Sequence, residues 1–255
     1  AITSVDEPLA AFFPEHAQGP QAAALQRVTL RHLLTLSPGF DRRGLDANTD
    51  YPDFVQRFFS PGLLAHAIGR PLVDEPGSRF YYSNIDSHLV AEALARRVKM
   101  PLAAFAQAEL FKPLGIEGAE WPTGQDGVPN GAAELRLTAP DLLRIGQLVR
   151  AGGLWQGRQL VPTAFVKEAT SRKIDTGQPA RGPKELWGYG YLWWLSSTPG
   201  DNLPAFYAAG YGGQFIYVVP ALDLVVVALT DQVSREVAGR TALLIRDFAL
   251  PAVAR

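Results

Sequence analysis

Apolar positions recur at helical spacing up to about residue 175 and give way to strand-like runs beyond it. Residues 1–24 are loop-like, punctuated by Pro8, Pro14, Gly19 and Pro20. Leu30, Leu33 and Leu34 predict an amphipathic segment within Leu25–Leu36, with Thr29 as its N-cap and Ser37-Pro38-Gly39 as its stop. Phe54, Val55, Phe58 and Phe59 predict a short helix before Pro61-Gly62. A longer helix is expected from Ser83 or Asn84 to Lys99, where Leu89, Val90, Ala93, Leu94 and Val98 share one face. Pro101 to Leu114 predicts another. Thr138-Ala139-Pro140-Asp141 is a helix start with Thr138 as N-cap and Pro140 in the first turn, and Gly152-Gly153 ends that helix. Pro162 to Thr170 predicts a short helix.

From Trp187 the period becomes that of strands. The aromatic run Trp187–Leu195, the short run Phe206–Ala208, and the β-branched runs Gln214–Val219 and Leu224–Thr230 are the expected strands. Pro220-Ala221-Leu222-Asp223 suits a hairpin, which makes the last two antiparallel. Val237–Leu250 is the closing helix. Helices come first, then a sheet, so the expected class is α+β: an antiparallel sheet flanked by helices plus a mostly helical subdomain. The chain is expected to divide into residues 1–175, mainly helical, and 176–255, the sheet with its terminal helix, co-folded as one unit.

The 255 residues suit one domain or two small ones packed together. Lys plus Arg total 24 against 25 Asp plus Glu, so no basic excess exists to hold a nucleic acid or an anionic membrane. Apolar residues at 47% are ample for a core. The absence of Cys removes disulfides, thiolate metal sites and a Cys nucleophile together. Residues 1–15 carry no targeting signal, and the apolar stretch Phe206–Thr230 is broken by glycines, Pro220 and Asp223, so no membrane span is expected. The chain starts at Ala and reads as processed or cut from something longer.

The four histidines, His16, His32, His66 and His88, form no close metal-binding pattern, so no metal is expected. No phosphate-binding glycine loop is present. Thr35-Leu36-Ser37-Pro38-Gly39 comes near a nucleophile elbow but has Thr where Gly is required and no strand before it, so Ser37 reads as a turn residue. Pro76–Asn84 is more informative. Tyr82 and Asn84, two apart at a helix start, can face one side. A Tyr base needs nearby cations to lower its pKa, and an Asn amide can hold a substrate carbonyl. The plainer alternative is that Ser83 or Asn84 caps the helix and Tyr82 packs. Likewise, Ala208-Ala209-Gly210-Tyr211-Gly212-Gly213-Gln214 could lay small residues beside a substrate and offer a backbone N–H to an oxyanion, or could be only a glycine-rich hairpin.

Five segments in order resemble the serine β-lactamase and penicillin-binding superfamily, in its class C-like branch of esterases, peptidases and 6-aminohexanoate-dimer hydrolases. They are Val28–Phe40, Pro76–Asn84 with its Tyr-x-Asn motif, Leu135–Leu142 with Gly152-Gly153, Trp187–Trp194, and Ala209–Gln214 with Pro220. The resemblance implies a β-lactamase/transpeptidase-like fold and a serine hydrolase that cleaves an amide or ester through an acyl-enzyme. It implies Tyr82 as the base and Asn84 as the residue that binds the substrate's amide side chain or orients a Lys. It implies Gly210, Tyr211 and Gly212 for substrate and oxyanion, with no metal and no cofactor. Trp187, Tyr189 and Tyr211 flank the motif strands and are expected to line the cleft, with plain core packing as the alternative. Relatives are often periplasmic or secreted.

Two departures stand out. Ala208-Ala209-Gly210 takes the place of a cation-bearing Lys-Thr-Gly or His-Thr-Gly, which favours an ester or amide without a carboxylate over a β-lactam. The nucleophilic Ser-x-x-Lys is also absent. Only Thr170 and Lys173 offer a hydroxyl and a Lys at that offset, at a helix end. In the family this motif comes just before a segment like Ile2–Pro8, so it is expected upstream of residue 1. The partners expected are a small-molecule substrate and the chain's own N-terminal fragment. A catalytically inactive binding module and a D-Ala-D-Ala-type carboxypeptidase are the alternative readings.

Overall fold

The computed structural model describes residues 2–41, 58, 60–125, 127–177, 188–198, 202–210, 212–230 and 235–253. The predicted helix around Phe54–Phe59 lies outside them except for Phe58, which is helical. The chain divides into two compact units. One is Ala1–Lys112 with Glu117–Arg136, and the other is Pro113–Ile116 with Leu137–Arg255.

The first unit is helical. Its main helix, Asn84–Val98, buries Ile85, Leu89, Ala91 and Ala93 and ends at Lys99, which adopts a left-handed conformation (φ 54°). Helix Leu30–Leu34 packs against it through Leu30, Leu33 and Leu34. The amphipathic segment expected within Leu25–Leu36, with Thr29 as its N-cap, is helix Leu30–Leu34, and a separate helix, Ala22–Arg27, precedes it. The break has a local cause. Thr29 is extended and pairs with Pro8, and its N–H donates to His32 Nδ1 at 3.1 Å, which makes it the cap of a new helix. Leu63–Ile68 and Leu102–Ala106 complete the α-helices described in this unit, the latter running into a π-helical turn, Gln107–Phe111.

The second unit is a sheet between helices. A two-stranded ribbon, β1 (Leu154–Trp155) with β2 (Arg158–Gln159), stands apart. Six antiparallel strands follow in spatial order: β3 (Ile174–Asp175), β4 (Gly188–Tyr189), β5 (Trp194–Ser197), β6 (Pro204–Ala209), β7 (Phe215–Val219) and β8 (Leu224–Ala228). The period of two places alternate side chains on opposite faces. On one face Tyr207, Phe215, Tyr217 and Val219 pack with Ala242, Ile245 and Leu250 of the closing segment. On the other, Leu195, Phe206, Ile216 and Val218 meet Leu142, Ile145 and Val149 of helix Ala139–Arg150. With both faces covered, β7 is buried along its whole length.

Several predicted elements are present as expected. Thr138 caps Ala139–Arg150 in a reciprocal capping box with Asp141. Thr163–Ala169 is the short helix. Pro220–Leu222 forms a 3-10 turn, and Asp223 at φ 53° closes the hairpin in the register Val219↔Leu224. The aromatic run expected as one strand is two. Between β4 and β5 the chain reverses at Gly190–Trp193, with Leu192 at φ 58° and the Gly190 N–H on Trp193 O at 2.9 Å. Gly190 packs so tightly against the Ala169 carbonyl that a side chain could not fit. The closing helix is Arg235–Leu244, continued by a π-helical turn, Ile245–Ala249, and by Leu250–Val253. Among the described residues, no helix is long and apolar enough to cross a membrane.

Gly146 fixes how closely its helix approaches the sheet. A Cβ there would lie 2.5 Å from Val225 Cγ1 and 2.8 Å from Ile216 Cγ2. On propensity alone Gly146→Ala would stabilise a helix by about 0.5–1 kcal/mol. Overpacking costs about 1–3 kcal/mol and outweighs it. Gly146→Ala is expected to lower the denaturant midpoint, and a raised midpoint would show that the helix can lift from the sheet freely.

Candidate active site

The Tyr82-Ser83-Asn84 motif sits where a loop becomes a buried helix. The loop is laid along Leu36–Ser37: the Gly77 N–H donates to Ser37 O at 2.8 Å, and the Tyr81 N–H to Leu36 O at 2.8 Å. Gly77 (φ 83°) turns against His32, since a Cβ there would lie 3.3 Å from His32 Nε2. Leu36 itself is left-handed (φ 51°), and the buried Thr35 and Ser37 hydroxyls share a 2.7 Å hydrogen bond. Ser37 is therefore a turn residue, as the sequence suggests. Arg79 lies over the Tyr81 ring at 4.7 Å.

Ser83 is the N-cap. It is extended, and its Oγ accepts from the Asp86 N–H at 3.1 Å. The Ser87 hydroxyl donates to Ser83 O at 3.2 Å. Asn84 is thus the first helical residue and is buried, while Tyr82 precedes the cap and is half-buried. The cap role falls to Ser83, which leaves the Asn84 side chain to other uses.

In the second unit, Gly210, Gly212 and Gln214 form a closed turn after β6. The Gly210 N–H donates to Gln214 O at 2.8 Å, and the Gly213 N–H to Gly210 O at 3.1 Å. Gln214 Oε1 accepts from the Gly212 N–H at 3.1 Å, and its Nε2 donates to Thr230 O at 3.2 Å. The Thr230 hydroxyl returns a hydrogen bond to Gly212 O. The amides of Gly210 and Gly212 are therefore used within the turn. A Cβ at Gly210 would lie 2.4 Å from Gln214 Oε1, so a side chain there would have to displace the Gln214 amide. Sequence reasoning passed over the Gln214 side chain, although its place after Gly212-Gly213 is the signal that could have found it. It likewise passed over His32, whose place three residues after Thr29 marks the capping partner.

Tyr189 is 3% exposed and lies edge-on to Trp194 at 5.0 Å, so the structure places it in the sheet's packing. Trp187 and Tyr211 lie outside the described residues. Thr170 and Lys173 are each engaged elsewhere: the Thr170 hydroxyl donates to Val166 O at 2.9 Å and Lys173 pairs with Glu168. Among the described residues no group of three or more His, Cys, Asp or Glu is arranged to hold a metal ion.

The antiparallel sheet between helices is a β-lactamase/transpeptidase-like fold. The sequence matches the Beta-lactamase family over residues 3–250, and the chain belongs to that family. No curated protein matches it. Among solved structures it is similar to a Bacillus anthracis protein assigned as a 6-aminohexanoate-dimer hydrolase, with a TM-score of 0.73 and 20% identity over 99% of this chain and 68% of that one. EstCE1, a hydrolase with promiscuous acyltransferase activity, gives a TM-score of 0.70 and 20% identity over 96% of this chain and 77% of that one. A penicillin-binding protein homologue from Caulobacter crescentus gives 0.68 and 18% over 98% and 76%. At these identities the likeness establishes the fold.

Burial holds the His32 imidazole below its ordinary pKa, with Arg31 adding to the shift and Asp6 and Glu75 opposing it. The folded protein then binds fewer protons at His32 than the unfolded chain just below the ordinary value of about 6.5. Stability from this group is complete above about pH 6.5 and falls as pH drops toward the lower folded value, because burial penalises the charged imidazole. His32→Gln is expected to flatten the decline in melting temperature between about pH 7 and 5. An unchanged decline would remove His32 as its source.

Proposed function

We propose that this protein is a serine hydrolase that cleaves a small amide or ester through an acyl-enzyme. The observation that carries this reading is Tyr82-Ser83-Asn84, held at the capped start of a buried helix in a Beta-lactamase family chain. A fold kept only for binding has no need of a phenol and an amide at that turn. The reading requires a nucleophile outside residues 1–255, the Ser of a Ser-x-x-Lys segment that the family resemblance places upstream of residue 1.

In the proposed cycle the Ser hydroxyl attacks the substrate carbonyl carbon and its proton passes to the Tyr82 phenolate. For Tyr82 to act as base, the cycle requires a cation beside the phenol, the part the Lys of that segment would play. Asn84 positions the substrate's amide side or the Lys. Collapse of the tetrahedral adduct breaks the C–O or C–N bond, and Tyr82 returns its proton to the leaving alcohol or amine. Water then attacks the acyl-enzyme, with Tyr82 as base again, and releases the carboxylic acid and free Ser. On the family resemblance, the oxyanion takes one backbone N–H from the nucleophile and one from the third-motif strand. Ala208 and Ala209 offer no cation, which favours uncharged esters and amides over carboxylate-bearing β-lactams and over peptide substrates with a terminal carboxylate.

A second reading, an inert module that binds without cleaving, is favoured by one fact: residues 1–255 contain no Ser-x-x-Lys. Fluorophosphonate labelling followed by intact-mass analysis separates the two. The hydrolase reading predicts a covalent adduct on a Ser of a Ser-x-x-Lys segment. It also predicts labelling about 10²–10⁴-fold slower in Tyr82→Phe, the range a general base contributes. No adduct on any fragment of the natural protein would leave the inert module.

A further inference from the structure

Asn84 and Tyr82 are set by a turn whose other side is held by a buried ion pair. Arg70 follows helix Leu63–Ile68 and is 5% exposed, and Asp86 is 1% exposed in the first turn of helix Asn84–Val98. Arg70 Nε donates to Ala67 O at 2.8 Å, while its Nη2 donates to Asp86 Oδ1 at 2.5 Å. The guanidinium lies 5.0 Å from the centre of the Phe40 ring, and Phe40 pairs with Leu72 two residues after Arg70. Asp86 is thus gripped twice. Its backbone N–H closes the Ser83 cap, and its carboxylate is tied to the end of another helix.

We propose that Arg70 and Asp86 are a positioning pair for Tyr82 and Asn84 in the hydrolytic reaction, a role that rests on the serine-hydrolase reading above. A buried ion pair is a poor source of net stability, because stripping water from two charges offsets their attraction and an apolar pair of similar volume does as well or better. What the pair supplies here is direction. A guanidinium has a rigid fork of donors, so one side chain spans Ala67 O and Asp86 at once and fixes the distance between two helices to within a hydrogen bond's tolerance. The tie enters two residues from Asn84, on the turn that also carries Ser83. A Lys in place of Arg70 would keep the charge and lose the fork. A carboxylate in the first turn also faces the positive end of the helix dipole, so Asp86 stabilises that turn from within.

The test uses Arg70→Lys, Asp86→Asn and the double variant Arg70→Met/Asp86→Leu, on the natural protein with its full chain. Circular dichroism and melting temperature establish which variants fold. The double variant guards against loss of the fold, since it leaves no unpaired buried charge. Active sites are titrated with a fluorophosphonate so that kcat is expressed per competent site, and amide exchange is followed on the peptide containing Asn84–Ser87. The double variant is expected to melt near wild type yet to lose about 10–100-fold in kcat per titrated site, the range that small misplacement costs, with KM changed less than about threefold. Asp86→Asn keeps an acceptor for Arg70 and is expected to recover most of that loss. Exchange at Asn84–Ser87 is expected to accelerate in the double variant. Wild-type kcat per site in a folded double variant overturns the proposal, as does unchanged exchange at Asn84–Ser87. If the wild-type protein takes no label and hydrolyses nothing, the serine-hydrolase reading fails, and the exchange result alone decides the pair's role: acceleration upholds it as the brace of the turn, and no change overturns it.

Discussion

A helix whose first turn is buried must satisfy its free N–H groups without water. In this protein that requirement falls on Ser83, which hands its hydroxyl to the Asp86 N–H. The consequences spread along the chain in both directions. Upstream, the extended backbone at Ser83 lets Tyr81 bond Leu36 and Gly77 bond Ser37, so the whole approach to the motif is laid on the segment after Leu30–Leu34. Downstream, Asn84 becomes the first helical residue with no capping duty. A Tyr and an Asn flank the cap, one on each side. The same small set of backbone bonds therefore folds the helix and presents the two residues that the proposed chemistry uses.

The second unit follows a different constraint. Its sheet is covered on both faces, so β7 must be apolar along its whole length, and Phe215–Val219 is. Where the sheet ends, the turn after β6 has to satisfy its own amides. Gln214 meets that demand for Gly212 and links it to Thr230. Glycine at 210 is the cost of bringing the Gln214 side chain so close.

Much of this was legible in the residues because the signals were local. Thr138-Ala139-Pro140-Asp141 reads as a helix start by cap chemistry alone, and Ser83 before Asn84 reads the same way. The hairpin at Pro220–Asp223 followed from a turn between two β-branched runs. The family's motifs raised Tyr82 and Asn84 above a mere cap and packing residue. What was hidden depended on contacts distant in sequence. Thr29 announces the start at Leu30 as a cap, but its pairing with Pro8 has no signature in the helical period. The reversal inside Trp187–Leu195 needs Gly190 pressed against the Ala169 carbonyl, and without that contact the aromatic-rich run passes for one strand. Tyr189, which its neighbours in sequence suggest for the cleft, is nearly fully buried and packs edge-on against Trp194. The side-chain tie from Arg70 to Asp86 spans sixteen residues and has no signature in pattern or composition.

The central claim is covalent: a substrate acyl group passes through the enzyme. Acid-quenching the natural protein during turnover of a simple activated ester and measuring intact masses tests this most directly. The account predicts a transient species heavier by the acyl group, located on the Ser of a Ser-x-x-Lys segment and decaying as the acid product appears. Hydrolysis at full rate with no acylated species, together with no burst of released alcohol, would contradict it.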